Sequence, residues 1–448
     1  MKLPAQHSSV VFATYPFAFF VPGGGEIQLL KYFQYLPAEG ISVNLFDPWK
    51  PRLESGDCLH YFSCMSGSLP FLSFAKDRGA RIFVSPNLWV EPEDVRNYPA
   101  EEIRKVFLLA DAVVCNSAAE TRLLSGVFGI HHEKFCVVPN AVDDVFLTTT
   151  AAEIFREQYR VRGRFVLNVA NVEPRKNQLA LIEAMRAFPD HKLIVIGGVR
   201  DRAYLEACRN AGGEQFIHIH RLDHHSELLR SAYAACDAFC MPSTVETPGL
   251  AALEAAAAGA KVVITEKGSA PEYFLDHAWY VDHKSIPSII DGLRGALTKH
   301  AATHGGAMLD RIRNRYRWKH AAQALAQIYM GPSALAQGVR GLGFYGTEID
   351  DAGDMFHWGR EDASLVVEAG RLDFDVQVLQ PCKMKILGEE DETLREVELD
   401  ANRWVPIALR FQGPAKHLIR FVTSPDATTS PNGDPRRLCL AVKRLLVT

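Results

Sequence analysis

Short apolar runs alternate with helix-like stretches over most of the chain. In the first half these runs fall at residues 10–14, 42–46, 57–62, 81–85, 112–116 and 134–138. In the second half they fall at residues 164–169, 191–196, 216–220, 238–241, 261–265 and 279–281. Strand–helix alternation predicts parallel sheets that are covered by helices on both faces. We therefore predict an α/β protein with two Rossmann-like domains, residues 1–150 and 151–335, facing each other across a cleft.

The pattern changes after about residue 340. Little helical periodicity remains there, and the following stretches read as short strands: 364–367, 371–380, 382–387, 395–399, 404–411, 417–422 and 438–447. Short strands separated by turn-forming residues are typical of antiparallel β-sandwiches. We predict an all-β sandwich over residues 340–448. Before it, residues 308–330 are predicted to form one polar helix that ends the second domain.

Composition and charge limit the classes of function. The chain has 448 residues, which is more than one hydrophobic core supports. Its formal net charge of −4 predicts no strong attraction to nucleic acid. The longest apolar run, residues 10–22, is too short to span a bilayer, and no charged n-region precedes it. We expect a cytoplasmic protein, and work at the inner face of the cell membrane stays an open alternative.

Two carboxylates eight residues apart, Glu246 and Glu254, are the most informative feature of the chain. Glu254 lies in a helix-like stretch, residues 249–259, that carries no other charge. Such a helix is predicted to be buried, and a buried carboxylate needs a partner. A ligand with neighbouring hydroxyls, such as a ribose diol, would fit a single carboxylate. The alternative is that both glutamates only favour a helix N-terminus.

The start of this helix is a candidate anion site. We interpret Thr247 as the N-cap and Pro248 as the first helical position. The backbone N–H groups of Gly249 and Leu250 then point out of the helix without intrahelical partners. Phosphate groups bind at such positive helix ends. Glu254 lies two turns further along the same side.

Two further segments follow the first strand of each half. Arg175 and Lys176 come after the strand at 164–169, where a fork-shaped cation beside a point charge can hold a diphosphate. Gly24 and Gly25 lie in the glycine run between the first strand and the first helix, and they let the backbone approach a phosphate or a sugar. A solvated charge pair and a plain tight turn are the respective alternatives.

Histidines raise two further questions. The run at residues 218–225 contains four histidines, but a third ligand beside His218 and His220 is not evident, so we predict no metal site. His60 ends a predicted strand on the crevice side. It is a candidate contact for an acceptor, and a satisfied, partly buried histidine is the alternative.

Together these residues resemble the family 4 glycosyltransferases, which have the GT-B fold. The resemblance covers residues 1 to about 330 and rests on the segments 23–26, 111–117, 138–143, 175–177, 191–197, 235–243, 246–254 and 268–274. It implies transfer of a sugar from a nucleotide diphosphate sugar with retention at the anomeric carbon, usually without a metal. The nucleotide sugar is then a substrate, and no cofactor is expected.

The resemblance also implies roles for the residues above. Arg175 and Lys176 would hold the diphosphate and support the charge of the leaving group, while Glu254 would bind the ribose. Glu246 and the backbone of residues 247–250 would face the donor sugar. We therefore assign Glu246, Arg175 and Lys176 as catalytic, and Glu254 with residues 247–250 as donor-binding.

The first half supplies the remaining expectations. By the resemblance, Gly24 and Gly25 would border the donor phosphates or the acceptor. Many family members carry a histidine after the strand at 81–85, whereas this loop contains Asn87 and no histidine. Asn87 and His60 are the acceptor-side candidates.

The acceptor implied by the resemblance is a glycan or a lipid-linked glycan in synthesis of a bacterial surface polysaccharide, such as a lipopolysaccharide O-antigen or a capsule. A nucleotide-sugar epimerase of the same fold and a non-catalytic glycan-binding protein stay open as alternatives. The β-sandwich is a candidate contact for a protein partner or a second copy, and peripheral membrane contact is also left open.

Overall fold

A computed structural model provides the structure of the protein. It describes residues 9–20, 22–53, 55–65, 67–298, 305–330, 334–336, 339–350, 352–388, 392–411, 416–424, 428–429 and 437–448. The predicted junction between the second and third domains, residues 336–339, lies partly outside this set. Within the described ranges, no helix has the length and apolar character needed to cross a bilayer.

The first domain is a parallel six-stranded sheet with the order β2-β1-β3-β4-β5-β6. Its strands are β1 Ser9–Ala13, β2 Ser42–Leu45, β3 Cys58–Tyr61, β4 Arg81–Val84, β5 Ala112–Cys115 and β6 Phe135–Val137. Its helices are α1 Gly24–Tyr35, α2 Ser68–Asp77, α3 Ala100–Leu109 and α4 Ala118–Phe128. Because β2 and β3 lie on opposite sides of β1, the loop after β1 borders the crevice at the carboxyl edge of the sheet.

The second domain repeats this design with the order β12-β11-β10-β7-β8-β9. Its strands are β7 Arg164–Val169, β8 His191–Ile196, β9 Phe216–Ile219, β10 Ala238–Met241, β11 Val262–Thr265 and β12 Trp279–Val281. Its helices are α5 Glu153–Gln158, α6 Gln178–Met185, α7 Arg202–Gly212, α8 Glu227–Ala235, α9 Leu250–Ala257, α10 Ala270–Phe274 and α11 Ile286–Thr298. The prediction of two Rossmann-like domains is confirmed, and the second crevice opens between the carboxyl ends of β7 and β10.

The predicted single polar helix at 308–330 is wrong. Two helices replace it, α12 Gly305–Arg315 and α13 Trp318–Met330. Trp318 and Tyr329 are buried in the hydrophobic core that α13 shares with α1 and the first sheet. The alanines of α13, together with Leu325, Ile328 and the aromatic residues at its two ends, supply this apolar side. The chain therefore returns from the second domain to cover the first.

The third domain is antiparallel and β-rich, as predicted. Its strands are β13 Ala334–Ala336, β14 Val339–Ile349, β15 Met355–Glu368, β16 Arg371–Val378, β17 Cys382–Leu387, β18 Thr393–Leu399, β19 Val405–Arg410, β20 Lys416–Ser424, β21 Thr428–Thr429, β22 Arg437–Leu438 and β23 Leu440–Val447. One end of β15 pairs with β23 and the other end with β20. The sheet thus folds over at β15, and Phe374 of β16 meets Phe421 of β20 with ring centroids 6.1 Å apart. The described part of the β-rich domain is built mainly from one bent sheet, beside a short two-stranded sheet of β21 and β22.

Contacts between the domains place the β-rich domain on the first domain. Thr347 of β14 donates a hydrogen bond to the Gln327 side chain of α13 at 2.8 Å, and Ile349 belongs to the core shared by α1 and α13. The chain passes between the Rossmann-like domains twice, once after β6 and once between α12 and α13. These two segments lie side by side, since the Val142 N–H donates to the Tyr316 carbonyl at 2.8 Å.

Candidate active site

A buried ion pair lies in the crevice of the second domain. Lys176 follows β7 and Glu246 follows β10, the two strands that flank the crevice. The Lys176 ammonium is 2.5 Å from Glu246 Oε1, and the two side chains are only 12% and 6% exposed. Burial raises the pKa of Glu246, but the charges of Lys176 and Arg175 more than offset it and hold that pKa below its ordinary value. Burial lowers the pKa of Lys176. The pair fixes one cation at the point where two strands diverge.

The backbone of Glu246 is clamped by the loop after β11. Glu246 N–H donates to the Lys267 carbonyl at 3.1 Å, and the Ser269 N–H donates to the Glu246 carbonyl at 2.9 Å. Gly268 lies between these partners with φ 108°, a conformation that glycine adopts easily. A Cβ on Gly268 would lie 2.0 Å from the Glu246 carbonyl oxygen. Gly268 was not predicted as a site residue from the sequence.

Arg175 is more exposed than its neighbour. Its side chain is 47% exposed and pairs with Glu173 at 3.3 Å, and its guanidinium also donates to the Val245 carbonyl at 3.4 Å. The Thr244 N–H donates back to the Arg175 carbonyl at 2.9 Å. These contacts keep Arg175 beside the loop that carries Glu246, with its cation facing outward.

The start of α9 differs from the prediction. The helix begins at Leu250, and Gly249 precedes it with φ 88° in the left-handed region. Thr247 is therefore not the N-cap and Pro248 is not the first helical residue, because a left-handed residue cannot continue into the helix; the peptide bond between them is cis. The absence of a side chain on Gly249 lets Glu246 lie against the backbone, since a Cβ there would be 3.3 Å from Glu246 Oε2.

Glu254 is buried on α9, as its uncharged surroundings predict. The Tyr233 hydroxyl donates to Glu254 Oε2 at 2.8 Å. His224 Nδ1 is 3.6 Å from Glu254 Oε1, too far for a hydrogen bond but close enough for an electrostatic interaction. Burial raises the pKa of Glu254 despite these neighbours. Sequence reasoning missed Tyr233 and His224 as partners of Glu254.

The glycine turn meets the second domain at the start of α9. Gly24 is the first residue of α1, and a Cβ on it would lie 3.7 Å from the Leu250 side chain. A Cβ on Gly25 would lie 3.2 Å from the Asn87 amide nitrogen. The Glu26 carboxylate accepts from the Gly23 N–H at 2.7 Å and closes the turn. The two glycines thus let the start of α1 approach both Asn87 in the same domain and the start of α9 in the second domain.

An amide network surrounds Asn87. Its side chain donates to Gln28 at 3.1 Å and accepts from Asn116 at 2.9 Å. Gln28 in turn donates to Asn116 at 2.7 Å and to Asn140 at 3.0 Å. Asn87 is partly exposed and has φ 47°. The network holds Asn87 at the carboxyl edge of the first sheet.

His60 does not reach the cleft surface. It has no exposed surface, and its two ring nitrogens lie against the Tyr329 hydroxyl and, at 2.9 Å, Ser85 Oγ. The His60 ring also stacks on Phe62 with centroids 4.3 Å apart. This burial contradicts direct contact with an acceptor and supports the alternative of a satisfied core histidine.

His60 should make stability pH-dependent. Burial lowers its pKa from 6.5 to about 3. The unfolded chain binds a proton at His60 more readily than the folded protein does. The stability that comes from burying the neutral ring is therefore fully present above about pH 6.5, and it is lost at about 1.4 kcal/mol per pH unit as pH falls toward about 3. Urea unfolding at several pH values should show that the free energy of unfolding falls less steeply with decreasing pH in His60→Gln than in the wild type. Parallel curves would contradict this assignment.

Two residues of α10 connect the Rossmann-like domains. The Glu272 carboxylate accepts from the backbone N–H groups of Ala118 and Ala119 at 3.0 Å each, at the start of α4. The Tyr273 hydroxyl donates to the Asn116 carbonyl at 2.5 Å and accepts from the Asn140 N–H at 2.8 Å. Both residues lie in a motif that the sequence analysis used only for the resemblance.

One cluster has the residue types of a metal site. Asp143, His224 and His225 bring three ligand atoms within 4.8 Å of one another. The Lys31 ammonium already lies in this cluster, 2.7 Å from Asp143 Oδ1 and 2.9 Å from His225 Nε2. A divalent ion there would have to compete with this buried cation, so the arrangement does not favour a metal.

Two Rossmann-like domains that face each other across a cleft make up the GT-B fold, which is known from glycosyltransferases. In this chain, charged side chains lie at the crevice of the second domain. Residues 151–315 match the family model described as glycosyl transferases group 1.

Curated relatives and solved structures agree with this class. A GDP-mannose-dependent α-(1-6)-phosphatidylinositol monomannoside mannosyltransferase of Mycolicibacterium smegmatis is 27% identical over 249 residues, 51% of this chain and 64% of the relative. A D-inositol 3-phosphate glycosyltransferase of Xylanimonas cellulosilytica is 27% identical over 243 residues, 50% of this chain and 58% of the relative. The chain thus spans less than two thirds of either relative.

Two solved structures match over a larger share. Sucrose-phosphate synthase of Thermosynechococcus elongatus has a TM-score of 0.62 at 18% identity, covering 72% of this chain and 98% of that one. HepE of Anabaena, in complex with UDP and glucose, has a TM-score of 0.61 at 18% identity, covering 72% and 100%. At this identity the two structures establish the shared fold.

Proposed function

We propose that the protein is a retaining glycosyltransferase that moves a sugar from a nucleotide diphosphate sugar to a glycan or lipid-linked acceptor. The observation that carries the proposal is the buried Lys176–Glu246 pair at the crevice of the second sheet. A buried ion pair adds little or no stability, because desolvation of the two charges offsets their attraction, so a buried pair at a crevice favours a role in ligand binding. The family match over residues 151–315 supports the same class of reaction.

The geometry suggests how the reaction would proceed. The donor diphosphate would lie between Lys176, Arg175 and the N-terminus of α9, and Glu254 would bind the ribose. As the bond from the anomeric carbon to the phosphate oxygen breaks, the Lys176 ammonium would stabilise the charge on the departing diphosphate. The acceptor hydroxyl would attack the same face of the sugar and release its proton to the leaving phosphate. No protein nucleophile is needed, and these cations can serve without a metal.

A lipid-linked acceptor fits the outer rim of the first domain. Phe17 and Phe20, in the loop between β1 and α1, are 59% and 86% exposed. This loop leads into the glycine turn at the cleft. One relative is named for a mannosyl phosphatidylinositol acceptor. These observations support an amphiphilic acceptor at the inner face of the membrane, within surface glycan synthesis.

One observation favours a second candidate, a nucleotide-sugar epimerase. His224 lies between two acids, 3.0 Å from Asp143 Oδ2 and 3.6 Å from Glu254 Oε1. Clustered acids and a histidine are what proton abstraction and return require. Incubating donor without acceptor separates the two candidates, because only an epimerase yields an isomer of the donor.

Nucleotide diphosphates should raise the melting temperature. A ligand at a hundred times its Kd stabilises the native state by about 2.7 kcal/mol. We expect UDP or GDP to give this shift and inorganic phosphate to give less, because Glu254 adds contacts to the nucleoside. A thermal-shift screen over nucleotide diphosphates measures it. No shift with any of them would sink the proposal.

A further inference from the structure

Glu254 has one oxygen engaged and one available. Tyr233 donates to Oε2 at 2.8 Å. Among the described residues none donates a hydrogen bond to Oε1, which faces His224 Nδ1 at 3.6 Å. An oxygen that is oriented but not consumed by the protein can accept from a ligand hydroxyl. Tyr233 anchors one side of the carboxylate, and the charge of His224 acts on the oxygen that is left for a ligand.

His224 is itself held from the other side. Its Nε2 is 3.0 Å from Asp143 Oδ2, while the Lys31 ammonium binds Asp143 Oδ1 at 2.7 Å. The His224 ring also packs edge-on against Phe146, with centroids 5.3 Å apart. Lys31 and Asp143 are each about 5% exposed at the side chain, so both contacts are shielded from water. Because Asp143 holds one ring nitrogen and Phe146 packs against the ring, the imidazole has little freedom to rotate.

This chain of contacts crosses the cleft. Lys31 lies on α1 of the first domain, Asp143 lies in the connection after β6, and His224 and Glu254 belong to the second domain. The start of the same helix α1 lies near the first residue of α9, since a Cβ added to Gly24 would be 3.7 Å from the Leu250 side chain. Helices α1 and α9 are therefore joined both at their N-termini and at the charged chain. If the two domains separated, Lys31 would lose its contact with His225, which lies 2.9 Å away in the second domain. The series of contacts would then be interrupted at Lys31.

We propose that His224 is a positioning residue for ribose recognition, and that Lys31 and Asp143 make this recognition depend on contact between the two Rossmann-like domains. The inference rests on the proposed function, in which Glu254 binds the ribose. It adds a residue and a dependence on domain contact that the Glu254 assignment alone does not contain.

The charges around His224 give the proposal a pH signature. The groups that face it are Asp143, Glu254, Lys31 and His225. Burial disfavours the imidazolium, but Asp143 and Glu254 outweigh burial and raise the pKa of His224. A protonated His224 hydrogen-bonds Asp143 and places a positive charge 3.6 Å from Glu254 Oε1, whereas a neutral ring keeps the hydrogen bond to Asp143 and loses that charge. Preference for a ribose should therefore weaken as pH rises through the pKa of His224.

The test compares ligands that differ by one hydroxyl. Calorimetry with GDP and UDP, each beside its 2′-deoxy counterpart, gives the ratio of the two Kd values. We expect the wild type to prefer the ribose form by about tenfold or more. His224→Leu, His224→Gln and Lys31→Met should reduce this ratio at least threefold, and Glu254→Ala should bring it near one. Pyrophosphate binding should stay unchanged in all four.

The control is His131→Gln. His131 precedes β6 and lies at the amino end of that strand, whereas Asp143 follows its carboxyl end. His131 is 72% exposed, so its variant should keep the wild-type ratio. Circular dichroism and melting curves confirm that each variant is folded. The fall in ribose preference with rising pH should be present in the wild type and absent in His224→Gln.

Two failures are distinguishable. If both His224 variants and Lys31→Met keep the wild-type ratio while Glu254→Ala loses it, the positioning role is overturned and the proposed function stands. If Glu254→Ala also keeps the ratio, or the wild type binds neither nucleotide, the proposed function itself is overturned.

Discussion

Lys176→Ala is expected to lower the rate of sugar transfer by about a thousandfold, because a donor placed on developing charge contributes roughly 10²–10³ in rate. The same change should lower the free energy of unfolding by roughly 3–5 kcal/mol, since it leaves the buried Glu246 carboxylate without its partner. Donor turnover with acceptor and urea unfolding measure the two effects.

A double variant separates chemistry from stability. Lys176→Met with Glu246→Gln removes both charges and should recover most of the lost stability, because no unpaired charge stays buried. It should not recover the rate. Arg186→Ala is the matched control, since it removes an exposed pair with Glu183 in the same domain and should change neither quantity. A double variant with wild-type turnover would mean that the pair is only structural.

Gly268→Ala should disable the site without touching a charged residue. The new Cβ would lie 2.0 Å from the Glu246 carbonyl oxygen, closer than any tolerated contact, and φ 108° is unfavourable for alanine. Relief of this clash requires the Glu246 backbone to move. Since displacement by about 1 Å can cost about a hundredfold in rate, we expect a loss of at least that size in turnover.

Gly259→Ala separates the clash from the backbone conformation. Gly259 also has positive φ, 86°, but a Cβ on it would meet no atom within 4 Å. The Gly259→Ala variant should lose roughly 1 kcal/mol of stability and keep its turnover. If the two variants lose activity equally, the loop after β11 does not position Glu246.

Hydrophobic periodicity was sufficient to predict both parallel sheets. A buried parallel strand reads as a continuous apolar run, and each predicted run coincides with a strand of the structure. The same criterion failed at residues 308–330. The charged residues of α12 dominate this stretch, and the many alanines of α13 are only weakly apolar, so the break between α12 and α13 and the buried side of α13 were both missed.

The site was predicted in part. An isolated charge in an apolar helix identified Glu254, whereas Lys31 was not predicted as a site residue, since α1 also carries Glu26. The Lys31 partner Asp143 could not be predicted, because that contact depends on how two domains meet. The start of α9 was misplaced because threonine and proline satisfy the usual helix-start pattern, whereas the left-handed Gly249 ends the loop two residues later.

The route of α13 has a consequence for the whole chain. This helix leaves the second Rossmann-like domain, covers the first and bears the third domain on its outer side, where Thr347 contacts Gln327. A hinge motion between the two Rossmann-like domains would therefore move the third domain together with the first. A molecule bound to the third domain would keep its distance from the first domain and change its distance from the second.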